Sequence, residues 1–193
     1  GMKLTPYQHP NVNVGPSSIV VIPEYKKVDQ NTINKGVSIH TVKTLRSTPD
    51  ILDPKINSLS KLNCILACIE ADKLGVDEGL MFDVDGNVST CNSTNFFIVT
   101  GGDVWTSRGD YCLHGVTRSK VIEVCKTMNI DIQERDFGLE DVLTADEAFV
   151  TGTFGGVIHV NKINDTILAR NPSEITLKIR NEYYNLISDL YGS

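Results

Sequence analysis

Residues 79–107, "GLMFDVDGNVSTCNSTNFFIVTGGDVWTS", decide the fold. Short apolar runs flank Asp85-Gly86, and a second pair flanks Gly101-Gly102. Each dipeptide favours the positive backbone φ of a tight hairpin turn, so the stretch reads as two consecutive β-hairpins. Upstream, a helix is expected near 58–74, with Leu59, Leu62, Ile65, Leu66 and Ile69 on one stripe. Before it come a half-buried strand, "GVSIHTVKT" (36–44), and a loop with two prolines, "STPDILDP". "SIVVIPEY" (18–25) reads as a short buried strand and "KKVDQNTINK" as a charged linker. Residues 2–17 are irregular.

Downstream, "GVTRSKVIEVCKTMN" reads as an amphipathic helix opened at Thr117. It is followed by a strand, "IDIQERDF", a short helix, "LEDVLTAD", and two strands, "EAFVTGT" and "GGVIHVNKIN". The tail, "PSEITLKIRNEYYNLISDLY", begins with Pro172 near the first helical position and runs on as a helix. Hairpins with interspersed helices argue for an α+β fold and against a doubly wound sheet.

The formal charge of −6 and the lack of any Lys/Arg cluster argue against nucleic acid as a partner. No apolar run approaches the roughly 18 residues of a membrane span. Five scattered cysteines, an odd number, suit reduced thiols in the cytoplasm. Cys64 and Cys68 have helix-face spacing, but with no second ligand pair nearby a metal site is not expected.

Two segments suit an anion. In "LHGVTRSK", Gly115 precedes a helix start whose first N–H groups, from Val116 to Ser119, lack helical acceptors, and Thr117 adds a hydroxyl. In "VTGTFGGV" (150–157), Gly152, Thr153, Gly155 and Gly156 permit close backbone approach and a nest of N–H groups. A plain helix cap and a Gly-rich turn are the structural alternatives. The Asp146-Glu147 pair reads as a solvated loop end. A further candidate lies in "INSLSKLN" (56–63), where Asn57 and Lys61, four apart, share one side of the expected helix.

Taken together, "DEGLMFDVDGNVSTCNSTNFF", "YCLHGVTRSKVIEVC" and "ADEAFVTGTFGGVIHV" resemble, in order and spacing, the class IV aminotransferases. That family includes branched-chain and D-amino acid aminotransferases and aminodeoxychorismate lyase. Val88, Asn95 and Phe97 match its first motif. Gly115, Val116, Thr117 and Arg118 match the second, and Ala145, Asp146, Glu147, Phe149 and Thr151 the third. The resemblance implies a pyridoxal-phosphate enzyme of fold type IV. Val116, Thr117, Gly152 and Thr153 would hold the cofactor phosphate, and Leu113 would pack on the ring. Residues 26–193 would be the large domain and residues 1–25 a remnant of the small N-terminal domain and linker. Substrates would be an amino acid and a 2-oxo acid, and the assembly a homodimer.

Three departures accompany the resemblance. The family's cofactor-linking lysine begins a "K-x-L-N" run thirteen residues before the Glu of an "E-A" pair. Here that pair is Glu70-Ala71, and thirteen residues back stands Asn57. Lys61 lies one helical turn on, about 6 Å by helix rise, and is the remaining candidate nucleophile. The family glutamate that pairs with the pyridinium nitrogen corresponds to Thr90, whose hydroxyl is expected to donate to a neutral nitrogen and weaken the electron sink. By the same resemblance, most of the small domain is expected to be missing from these 193 residues. The expectation is therefore impaired transamination, with a non-catalytic phosphate- or cofactor-binding homologue and an aminodeoxychorismate-lyase-like enzyme as the alternatives.

Overall fold

In the computed structural model, which describes residues 2–7, 9–26, 28–168 and 174–192, both hairpins form where their turn dipeptides put them. The strands are β1 (Val37–Thr41), β2 (Glu78–Phe82), β3 (Val88–Cys91), β4 (Asn95–Thr100), β5 (Asp103–Thr106), β6 (Ile132–Glu134), β7 (Glu147–Gly152), β8 (Gly156–Ile163) and β9 (Thr166–Ile167). The helices are α1 (Gln30–Lys35), α2 (Pro49–Leu52), α3 (Leu62–Lys73), α4 (Val116–Thr127), α5 (Leu139–Thr144) and α6 (Glu174–Tyr191). Gly86, Gly101 and Gly102 all take positive φ at the hairpin turns, where a side chain would be strained.

The strands join one mixed sheet in the order β3-β2-β1-β8-β7-β4-β5-β6, with β9 on β8. β1 runs parallel to both β2 and β8, and β5 parallel to β6; the other pairs are antiparallel. The two ends of this order approach one another. The Val88 N–H on β3 donates to the carbonyl of Phe137, just past β6, at 2.8 Å. The sheet is therefore curled and barrel-like, and the fold is α+β as the hairpin pattern predicts.

Curling buries both faces. Phe96, Ile98, Ala148 and Val150 point into one core with Val88, Val142 and Val160. Their neighbours Phe97, Val99 and Phe149 point into a second core, where Val121 and Cys125 of α4 and Ile179 of α6 cover the sheet. A strand buried on both sides reads as a continuous apolar run, which is why "NFFIV" and "AFV" show no polar alternation.

Several expectations need correction. Residues 18–25 form no strand: Ile19, Val20, Val21 and Ile22 are 79–87% exposed. A strand needs a neighbour for its N–H and C=O groups, and none of the described strands lies alongside. The linker contains α1, capped by the Asp29 carboxylate, which accepts from the Asn31 N–H at 3.1 Å. It ends at Gly36, whose φ of 76° and contact with His159 exclude a side chain. Burial and the nearby Arg180 hold the His159 imidazole below its ordinary pKa. Pro172 lies outside the described residues, and α6 is described from Glu174.

The largest correction concerns α3. It begins at Leu62, and residues 56–61 are not helical. Its expected core stripe faces outward, with Leu62 71%, Ile65 55%, Leu66 46% and Ile69 44% exposed. The face on the sheet is Ala67 and Ala71, both buried. Small residues win there because the helix sits close on β2: a Cβ on Gly79 would lie 3.0 Å from the Ala67 carbonyl.

Candidate active site

The start of α4 is held by Asn95. Its Nδ2 donates to the Leu113 carbonyl at 3.0 Å, and a Cβ on Gly115 would collide with its Oδ1. Only glycine fits under that amide. Gly115 is the N-cap, so Thr117 is the second helical residue and not the cap that the sequence reading made it. The Ser119 N–H is satisfied by the Gly115 carbonyl at 3.0 Å, which leaves the N–H groups of Val116, Thr117 and Arg118 without a helical carbonyl. Val116 is exposed and Thr117 buried. Arg118 is structural: it is buried, donates to the Ser107 carbonyl at 2.7 Å and pairs with Glu134 at 2.7 Å.

The glycine-rich loop arrives beside the same asparagine. β7 pairs with β4 so that Asn95 opposes Thr151, and a Cβ on Gly152 would lie 3.3 Å from Thr94 Cγ2. Thus "GVTR" and "TGTFGG", nearly forty residues apart in the chain, flank the Thr94-Asn95 step. Gly152 and Thr153 line a cavity with Ser93, Thr94 and Glu78. The Glu78 carboxylate accepts from the Ser93 and Thr94 hydroxyls at 2.8 and 2.7 Å. Burial pushes its pKa up, and those two hydroxyls work against the rise.

Asn57, Lys61, Thr90 and Leu113 line an adjoining cavity that shares Ser93 and Thr94 with the first. The opening of α4 follows Leu113 directly, but Val116 and Thr117 line neither cavity. Asn57 and Lys61 come together without the helix that was expected to align them: Lys61 is the N-cap of α3, at φ −114°. Spacing by helical turns therefore does not select the amine. Lys55 precedes both in the same loop, between Pro54 and Ile56, which also line the cavity.

Thr90 differs from expectation in one chemical respect. Its hydroxyl donates to the Thr94 carbonyl at 2.7 Å. A carbonyl can only accept, so the Thr90 proton is committed to the backbone. What remains toward the cavity is an uncharged acceptor oxygen, not a donor. Arg46, unremarked in the sequence, also lines this cavity.

A curled mixed sheet in which a helix start and a glycine loop converge on one asparagine is the large-domain fold of the fold type IV aminotransferases. Residues 4–163 match the family model for amino-transferase class IV, and the chain belongs to that family. It is 36% identical over 187 residues to branched-chain-amino-acid aminotransferase-like protein 2 of Arabidopsis thaliana, covering 96% of this chain and 33% of that protein. It is 35% identical over 153 residues to a putative branched-chain-amino-acid aminotransferase of Methanocaldococcus jannaschii, covering 78% and 53% respectively. Among solved structures, an aminotransferase from Brucella abortus bound to the cofactor pyridoxal phosphate superposes with a TM-score of 0.75 at 26% identity, over 86% of this chain and 57% of that one. The chain spans between about a third and somewhat over half the length of these relatives. Among the described residues, no helix is long and apolar enough to cross a membrane.

Proposed function

We propose that this chain is the large domain of a class IV aminotransferase that binds pyridoxal phosphate and transaminates an amino acid with a 2-oxo acid, slowly. Residues 26–193 correspond to that domain, and residues 1–25 to the smaller domain's last segment and its linker. Free cysteines, all five of them, suit a reducing cytoplasmic compartment. The observation that carries the reading is the pairing of a phosphate cradle with an uncharged Thr90 in the neighbouring cavity.

The residues present fit the cofactor in part. The unfilled N–H groups of Val116 and Thr117 and the Gly152-Thr153 loop suit a phosphate. Leu113 borders the cavity where a flat ring would pack. Bound pyridoxal phosphate supplies an aldehyde for amine capture and a ring that withdraws electrons. Lys61, or Lys55 on the same loop, would supply the amine, which must be unprotonated and aimed. Thr90 can accept one hydrogen bond but offers no negative charge, so it does not hold a ring-nitrogen proton as a carboxylate does. Slow turnover follows from that residue. If no cofactor binds, the second reading, a non-catalytic phosphate-binding homologue, takes its place.

The test is pyridoxal phosphate added to wild type, to Lys55→Ala and to Lys61→Ala, with borohydride treatment and intact mass as the readout. Transamination is assayed in wild type, in Thr90→Glu and in Thr90→Glu combined with Asn57→Lys. We expect one of the two alanine variants to lose the fixed adduct, and a Thr90→Glu background to raise the rate tenfold or more, about 1.4 kcal/mol of barrier. Brisk wild-type turnover that Thr90→Glu lowers would overturn the impaired-enzyme reading. Absence of any adduct or spectral change in wild type would overturn the cofactor reading.

A homodimer is part of this proposal. The outward stripe of α3, with Leu62, Ile65, Leu66 and Ile69, adjoins Leu59 and Ile56, also exposed. An apolar surface of this kind is what a second subunit buries. Light scattering at micromolar concentration should give twice the 21.2 kDa chain mass, and a pure monomer mass would rule the dimer out.

A further inference from the structure

We propose that the cavity lined by Arg46, Lys61 and Thr90 binds a small carboxylate anion end-on at the Arg46 guanidinium. The inference does not depend on pyridoxal phosphate and is tested without it.

Arg46 is only 9% exposed, yet it forms no ion pair among the described residues. Its Nε donates to the Tyr111 carbonyl at 3.1 Å and its Nη1 to Cys64 Sγ. Both acceptors are uncharged in their ordinary forms. A guanidinium never loses its charge in a protein, so burial without an anion leaves that charge uncompensated, at considerable cost. Each Nη carries two N–H groups. With Nε taken and one Nη1 proton used, three N–H groups remain, one on Nη1 and two on Nη2, enough to meet the two oxygens of a carboxylate.

The surroundings point the same way. Lys61 brings a second cation to a cavity whose only acidic lining residue is Asp53. The Asp53 Oδ1 already accepts the Lys55 N–H at 3.0 Å. The lining thus carries two cations against one carboxylate, in a chain of net charge −6. The guanidinium also lies close to the strand that carries Thr90, because Ser89 Oγ donates at 2.7 Å to the same Tyr111 carbonyl that Arg46 Nε uses. Ser89 and Thr90 alternate across the strand, and it is Thr90 that lines the same cavity as Arg46, so a carboxylate side chain at position 90 would enter that cavity with the guanidinium. Thr90 leaves that charge to be supplied from solution, and a free carboxylic acid is the chemical class that supplies it.

The experiment compares acetate and succinate with chloride at matched ionic strength, by calorimetry and thermal unfolding of the full chain without cofactor. Wild type should bind the carboxylates saturably and gain about 5 °C in Tm at a hundredfold excess over Kd. Thr90→Glu should bind at least tenfold more weakly and be more thermostable without ligand, because its own carboxylate occupies the place. Arg46→Gln should lose binding as well; should it fail to fold, Thr90→Glu still decides. Cys64→Ser, which keeps an acceptor but cannot ionise, should bind like wild type. A wild-type response no greater than that to chloride would overturn the proposal. So would undiminished binding in folded Arg46→Gln or in Thr90→Glu, or binding that arises only in Cys64→Ser, where a thiolate partner has been removed.

Discussion

Phe149→Ala should lower the free energy of unfolding by about 3–5 kcal/mol, the range for truncating a fully buried aromatic. Phe149 sits at the centre of β7 with no exposed surface and stacks on Phe97 of β4, ring centroids 4.8 Å apart and planes within 7°. The two residues oppose each other in the antiparallel β4–β7 register, so neither ring has freedom to move into the space left by the other. The same rings hold the sheet against α4 and α6. Loss of one opens a cavity in the layer between the sheet and the helices α4 and α6. Urea unfolding of the variant beside Ile167→Ala, an exposed position on β9, measures the effect. A difference between the two below about 1 kcal/mol would contradict this packing.

Glu147→Ala should cost about 2–4 kcal/mol, the sum of a lost helix cap and of buried donors left without a partner. Glu147 reads in the sequence as half of a solvated Asp-Glu pair. In the fold it is buried, and its carboxylate receives the first turn of α6. The Ile175 N–H donates to it at 3.2 Å, the Thr176 N–H at 2.8 Å and the Thr176 hydroxyl at 2.6 Å. Negative charge at a helix N-terminus is favourable on its own account. Asp146, next to it, accepts from the Gly101 N–H at 2.8 Å and ties down the second hairpin turn. Glu147→Gln keeps an acceptor and loses the charge, so it should fall between wild type and Glu147→Ala. Amide exchange of the first turn of α6 would show the loss locally. Unchanged protection in Glu147→Ala would refute the capping role.

The hairpins, the strand at 37–41, the helix after Gly115 and the final helix were all legible in the sequence, because each depends on local rules. A Gly-Gly or Asp-Gly step limits backbone φ, apolar residues repeat with the period of a strand or helix, and a glycine precedes a helix whose first N–H groups are free. The two anion-suited segments were legible for the same reason. That they meet at Thr94 and Asn95 depends on the β4–β7 pairing, a contact between distant parts of the chain.

Other features had no local signature. The stripe on α3 has the spacing of a core face, yet Ala67 and Ala71 take the sheet because the close approach to β2 leaves no room for larger side chains. "SIVVIPEY" has strand composition, but a strand exists only with a partner to satisfy its backbone. Alignment of Asn57 with Lys61 by helical turns lapsed when the chain before Leu62 proved non-helical. The proton of Thr90, the cap by Glu147 and the lone charge of Arg46 were decided by tertiary structure. Hydrogen-bond direction and ion pairing depend on which atoms lie within about 3 Å, and only the folded chain brings Thr94, Thr176 and Tyr111 to those distances.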